Sequence, residues 1–170
     1  AIEEGQSRVQ SIAILHHQLY SHDDLSKVEI NKFVHELFNQ ISSVFKQPEQ
    51  PVDATIQIPE SFFDIDTAVP LGLILNELFT NTFKYAHPVD PYKMAIPQPI
   101  LINITLHRST QEEYTLIYQD NGVGLPPSFN FEKASSLGLR IVWRLIKQIK
   151  GSCIYEFNHG AQFTLRFKLK

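Results

Sequence analysis

The sequence predicts one α/β domain, a two-layer sandwich in which an antiparallel or mixed sheet carries helices on one face. Three observations predict it. Apolar residues at helical spacing alternate with short runs in which every second residue is branched or aromatic. The longer strand-like runs come in pairs joined by few residues, which marks hairpins rather than crossovers. A length of 170 residues with 43 % hydrophobic content supports one core and is too short for two ordinary ones.

Taken in order, Ile2, Val9, Ile12, Ala13, Leu15, Leu19 and Tyr20 recur at helical spacing, and "SHDDLS" then supplies turn and cap residues. "EINKFVHELFNQISSVF" places Ile30, Phe33, Val34, Leu37, Phe38, Ile41 and Phe45 on one broad face, and the prolines of "KQPEQP" close this second helix. "ATIQIPE" and "FFDID" read as two modest strands of a hairpin. Asp66 and Thr67 offer caps for a helix over about 68–86, with Pro70 tolerated in its first turn. Four prolines make "HPVDPYKMAIPQP" a loop. "ILINITLHR" and "YTLIYQD" alternate around the polar "STQEE" as a longer hairpin, and "LGLRIVWRLIKQIKG" is a helix stopped at Gly151. "SCIYEFN" and "AQFTLRFKL", joined through "HG", make a closing hairpin.

Composition removes several classes of function. A net charge of −3 without a dense Lys/Arg block gives no footprint for nucleic acid. Cys153 is the only cysteine, which excludes an intrachain disulfide and fits a reducing cytosol, so a cytoplasmic location is expected. No apolar run approaches the ~18 residues of a membrane span, and no membrane contact is expected of this stretch. The chain opens on Ala rather than Met, directly in helical periodicity, and is expected to be cut from a longer protein.

Three segments hold residues able to do chemistry. In "NELFTNTFKYA", Glu77, Asn81, Lys84 and Tyr85 stand at i, i+4, i+7 and i+8 and share one stripe of a helix. A carboxylate, a carboxamide one turn on, and an amine beyond it can hold a nucleophile or water, a hydrated Mg²⁺ and phosphate oxygens in sequence. The plain alternative is a solvated Glu/Lys face. In "QDNGVGLP", Asp120 at a strand end can accept from an exocyclic amine, while Gly122 and Gly124 leave room for a flat base; an ordinary Asp-Asn-Gly turn is the alternative. "SSLGLRIVWRL" opens a helix whose N–H groups face an anion, or is merely a cap with a packing glycine.

Together, in this order and about 40 and about 15 residues apart, the segments are far more specific than any one alone. They resemble the N box and the two glycine boxes of the ATP-binding catalytic domain of sensor histidine kinases, in the wider family that includes DNA gyrase B, Hsp90 and the mismatch-repair ATPases. "AVPLGLILNEL" with "SRVQSIAILHHQLY" upstream is most similar to the bacterial subgroup with a His-His-Arg-Val-Lys-Asn-type phosphoacceptor motif. The resemblance implies a Bergerat-type ATP-binding fold, with a mixed, mostly antiparallel sheet, over residues 26–170, preceded at 1–25 by part of the second helix of a dimerisation hairpin. It implies Asn81 as Mg²⁺ ligand, Lys84 near the phosphates, Tyr85 near the adenine, and Asp120 as acceptor from the adenine amino group. Gly122 and Gly124 would shape the base pocket, Gly138 and the N–H groups around Leu139 would face the phosphates, and Glu77 would be a base or an organiser of the metal's water. ATP and Mg²⁺ are the implied ligands; a second copy of the full-length protein and a response-regulator receiver domain are the implied partners.

The departures from the pattern are specific. The stretch 126–136 between the glycine boxes is short, which implies a reduced nucleotide lid. Ser135, Ser136 and Gly138 replace a fuller glycine pattern, and Ala161 in "HGAQFTLRF" stands where the family has Thr, removing a hydroxyl near the adenine. No His-His-Arg-Val-Lys-Asn motif is present, so the phosphoacceptor is expected outside this chain, with His16 and His17 read as structural. The expected function is γ-phosphoryl transfer from ATP to such a histidine; an ATP hydrolase or serine kinase on the same fold, or a degenerate nucleotide-binding dimer scaffold, are the alternatives.

Overall fold

The computed structural model describes residues 27–45, 50–86, 98–110, 112–126, 129–131, 134 and 136–169, with Val9 and Ala13. The expected first helix, with His16 and His17, and the proline-rich loop after Ala86 lie outside the described residues.

Strand β1 (Lys27–Glu29) leads into α1 (Ile30–Phe45), whose Ile30, Phe33, Val34, Leu37 and Ile41 are buried as their spacing requires. β2 (Val52–Gln57) and β3 (Phe62–Asp64) follow, then α2 (Ile65–Tyr85). Asp64 caps α2 by accepting from the Thr67 N–H at 2.9 Å, two residues earlier than the sequence predicts. β4 (Ile100–Arg108) and β5 (Glu113–Asp120) precede α3 (Leu137–Gln148), and β6 (Ser152–Phe157) and β7 (Ala161–Lys168) end the fold. At the end of α3 the left-handed conformation falls on Lys150 (φ 52°), while Gly151 donates back to the Ile146 carbonyl at 2.8 Å.

The main sheet runs β2-β4-β5-β7-β6, antiparallel except for β2, which is parallel to β4. The hairpins β4–β5 and β6–β7 form as expected. The expected hairpin of β2 with β3 does not: β3 pairs instead with β1 in a separate two-stranded ribbon. The intervening Ile58-Pro59-Glu60-Ser61 carries the chain from one sheet to the other, and the Ile30 N–H donates to the Ser61 carbonyl at 2.9 Å where β1 meets α1.

Alternation fixes which side of each strand faces the helices. Ile100, Ile102, Ile104 and Leu106 of β4, Tyr114, Leu116 and Tyr118 of β5, and Phe163, Leu165 and Phe167 of β7 all point into the core. Asp120, in register with them at the end of β5, is thereby driven to the helix side, which no alternation rule would otherwise choose for a carboxylate. Helix α2 lies between α1 and α3 above this face and is buried on nearly all sides. Phe79 meets Tyr118 edge-on at 5.5 Å and Phe38 at the same distance, which ties sheet, α2 and α1 together. Burial of each such ring contributes roughly 1.5–3 kcal/mol.

Cys153 is buried in β6, and burial pushes its thiol from an ordinary 9.0 up to about 12. Burial also raises Tyr118, with the neighbouring Asp120 carboxylate acting in the same direction. A raised folded value means stability that is whole below about pH 9 and is lost as pH climbs toward 12, because the unfolded thiol ionises first. Alkaline melts should therefore show stability falling by on the order of 1 kcal/mol per pH unit above 9, with a shallower fall in Cys153→Ala. At pH 8 the native thiol should resist alkylation that proceeds at once in denaturant.

Candidate functional site

The ends of α2, β5, α3 and β7 converge on a cavity of about 570 Å³, within the range of small-molecule sites. Each element brings one kind of chemistry. Helical spacing aims Glu77 and Asn81 of α2 along one wall, and Tyr85 stands at the rim, 61 % exposed. Asp120 closes the deep end and is 8 % exposed. Gly124, Gly138 and Leu139 line the remaining wall with Ser136 and Phe129.

Asp120 is held from three directions. Its Oδ1 accepts from the Gly122 N–H at 2.9 Å and from the Ala161 N–H at 3.2 Å, and its Oδ2 accepts from the Thr82 hydroxyl at 2.6 Å. The Thr82 oxygen lies 2.8 Å from the Tyr118 hydroxyl. Three donors occupy three of roughly four lone-pair directions on a carboxylate, leaving one for a ligand.

Glu77 is 4 % exposed and accepts from the Asn76 side-chain amide at 3.4 Å. The first turn of α3 comes so close that a Cβ on Gly138 would sit 2.5 Å from Glu77 Oε2 and 4.0 Å from Asn81 Oδ1. Backbone, carboxylate and carboxamide therefore face one another across a gap with no room for a further side chain. Ser136 caps α3 by accepting from the Leu139 N–H at 3.4 Å. Among the described residues no group of three His, Cys, Asp or Glu side chains could hold a metal ion. A metal here would take its protein oxygen from Asn81 and the rest from water and ligand phosphate, with Glu77 beside that water, a donor set that suits Mg²⁺. Thr80 Oγ1 is buried beside Asn81 with no hydrogen-bond partner among the described residues.

Two expected site residues stand apart from the cavity. The Lys84 ammonium lies 5.3 Å from the centre of the Phe45 ring, on the α1 side of α2. Gly122 faces the C-terminal end of α2, where any Cβ would overlap Ala86, and so serves the seating of the β5 loop rather than the cavity wall.

Several residues at the site escape the sequence reading. Phe129 lines the cavity and packs edge-on against Phe131 at 4.9 Å and against Tyr155 at 5.5 Å; Phe131 in turn stacks on Trp143 at 5.7 Å. Tyr155 accepts from the Leu125 N–H at 2.7 Å. Phe129 and Phe131, between the glycine boxes, are thus held by aromatic packing. The only signal in the sequence is "SFNF", two rings at spacing two in an otherwise polar stretch.

The family described as histidine kinase-, DNA gyrase B-, and HSP90-like ATPase matches residues 66–170, and a histidine kinase family matches residues 1–45. Sensor histidine kinase PdtaS of Mycobacterium tuberculosis is 29 % identical over 156 residues, covering 89 % of this chain and 29 % of its own length. Sensor histidine kinase ComP of Bacillus subtilis is 24 % identical over 138 residues, covering 79 % of this chain and 16 % of its own. The chain thus spans about three-tenths or less of the length of these relatives. Among solved structures, the histidine kinase domain from the Erythrobacter litoralis EL346 blue-light activated histidine kinase superposes with a TM-score of 0.80 at 16 % identity, covering 98 % of this chain and 75 % of that one. The ATP-binding domain of PrrB from Mycobacterium tuberculosis gives 0.62 at 20 % identity, covering 85 % of this chain and 97 % of that one. No described helix is long and apolar enough to cross a membrane. With the family matching well over half the chain, the chain belongs to the histidine kinase-, DNA gyrase B-, and HSP90-like ATPases, and it shares the fold of solved histidine kinase domains.

Proposed function

We propose that the chain binds ATP with Mg²⁺ in the cavity and presents the γ-phosphoryl group to a histidine imidazole on a helix outside residues 1–170, as the catalytic part of a cytoplasmic two-component sensor kinase. The observation that carries the reading is Asp120, a buried carboxylate with three donors fixed on it and one acceptor direction left. That direction suits one N–H of an exocyclic amine. Gly124, whose missing Cβ leaves space for the Phe157 ring and the Tyr155 hydroxyl, lines the cavity, Tyr85 stands at its rim, and the first turn of α3 at Gly138 offers a backbone N–H and a positive dipole end to phosphates, the Leu139 N–H being held by Ser136.

When bound, Mg²⁺ supplies charge neutralisation on the phosphates, with Asn81 as ligand and Glu77 orienting its water. Lys84 adds a positive charge on reaching past the rim from its flexible stem. In the transfer, an N–P bond forms to the imidazole as the bond from Pγ to the β,γ-bridging oxygen breaks and ADP leaves; the protein contributes position and charge rather than a covalent step. In the full-length protein, a second copy and a response-regulator receiver domain are the partners, with residues 1–25 contributing part of the dimerisation hairpin.

The test uses labelled ATP, the chain, and a separately supplied phosphoacceptor hairpin from a sensor kinase of this family. Label should pass to the hairpin as an acid-labile, base-stable phosphoramidate. Glu77→Gln should lower that transfer by about 100-fold while ATP binding stays within about threefold. Phosphate release without any acceptor, abolished in Glu77→Gln, would instead make the chain a hydrolase.

A further inference from the structure

Two hydroxyls beside Asp120, those of Thr82 and Tyr118, bear on which base the cavity accepts. Period-two alternation on β5 puts Tyr118 on the same face as Asp120, and α2 lays Thr82 across both. All three side chains are buried, with Tyr118 and Thr82 at 0 % and 2 % exposure. The donors can be assigned. Asp120 Oδ2, 2.6 Å from Thr82 Oγ1, can only accept, so the single Thr82 proton is spent on it. The Tyr118 hydroxyl, 2.8 Å from the same oxygen, must then donate to Thr82.

We infer that Thr82 and Tyr118 form a relay of hydroxyl donors that fixes Asp120 as an obligate acceptor, and so sets the preference of the site for a 6-amino over a 6-oxo purine. The inference rests on the nucleotide reading above. Both residues are positioning residues, since they act through Asp120: Tyr118 lies outside the cavity lining, and Thr82, which lines it, gives its single proton to Asp120. Position 161, on the opposite side of the carboxylate, is an alanine that contributes only its backbone N–H at 3.2 Å, so the sole side-chain hydroxyl on Asp120 among the described residues comes from Thr82. With Oδ2 held by Thr82 and Oδ1 by two backbone N–H groups, the carboxylate has no rotational freedom to turn an edge away. A 6-oxo purine would then oppose its carbonyl oxygen to a fixed, negatively charged acceptor, whereas a 6-amino purine supplies the missing donor.

The experiment is calorimetric titration of the folded chain with a non-hydrolysable ATP analogue and with ITP, both with Mg²⁺, on wild type, Thr82→Val, Thr82→Ser, Tyr118→Phe and the Thr82→Val/Tyr118→Phe pair, with melting temperatures recorded alongside. Thr82→Val should weaken the ATP analogue by about tenfold and ITP much less, so that selectivity falls, and Thr82→Ser should restore it. Tyr118→Phe should cost about threefold, and nothing further when Thr82 is already Val, because its effect passes through that hydroxyl. Unchanged selectivity in Thr82→Val and Tyr118→Phe, with wild type binding the ATP analogue, would overturn the relay alone. Equal losses for both nucleotides in step with a fall in melting temperature would reduce the pair to core packing and overturn it too. A folded wild type that binds neither nucleotide would remove the nucleotide reading, and the relay with it.

Discussion

Asp120→Asn is expected to lower affinity for ATP by about 100-fold while the domain stays folded. The substitution is nearly isosteric, and the surroundings tolerate an amide. Its oxygen can still accept from the Gly122 and Ala161 N–H groups, while its NH₂ turns toward Thr82, which then accepts and passes its own proton to Tyr118. What changes is the one direction left for a ligand, where a charged acceptor gives way to a weaker or opposing group. Titration with an ATP analogue and a parallel thermal melt separate the effects: affinity should collapse and the melting temperature should hardly move.

Gly160→Ala is expected to act on stability, by about 3 kcal/mol or more, and through it on the site. Gly160 has φ 149° in the turn between β6 and β7, a region that L side chains rarely adopt. A Cβ there would overlap the Asp120 carbonyl oxygen and come 2.8 Å from the Asn121 Cα, both of them backbone atoms with nowhere to retreat. Relief requires the start of β7 to lift off the end of β5, which would carry the Ala161 N–H away from Asp120. A fall in melting temperature of roughly 10 °C is the expected reading for a domain of this size. Ordinary stability in Gly160→Ala would mean that the turn is not pressed against β5.

Much of this arrangement was legible in the sequence, and what was hidden shares a physical cause. Glu77, Asn81 and Tyr85 reach one wall because helical spacing alone dictates it. The hairpins β4–β5 and β6–β7 were legible because their pairing is local and their alternation clean. The partner of β2 was not: a strand pattern says that a ladder forms, not with which strand, and β2 reaches across the whole of α2 to pair with β4. Strand β1, three residues long, is too short to show a period. Lys84 lies on the predicted stripe, yet a stripe fixes the Cβ and not the end of a four-carbon stem, which rests over Phe45. Thr82 and Tyr118 were invisible for another reason. Each reads as an unremarkable residue of its own element, and their chemistry exists only where two elements 36 residues apart meet around Asp120.

The most direct measurement is calorimetric titration of the wild-type chain with a non-hydrolysable ATP analogue, with and without Mg²⁺, beside Asn81→Ala. The account predicts one site per chain, tighter with the metal than without it, and an Asn81→Ala variant that binds the nucleotide but no longer responds to Mg²⁺. A folded wild-type chain that binds no adenine nucleotide under either condition would contradict it, and would leave the cavity as the remnant of a site rather than a working one.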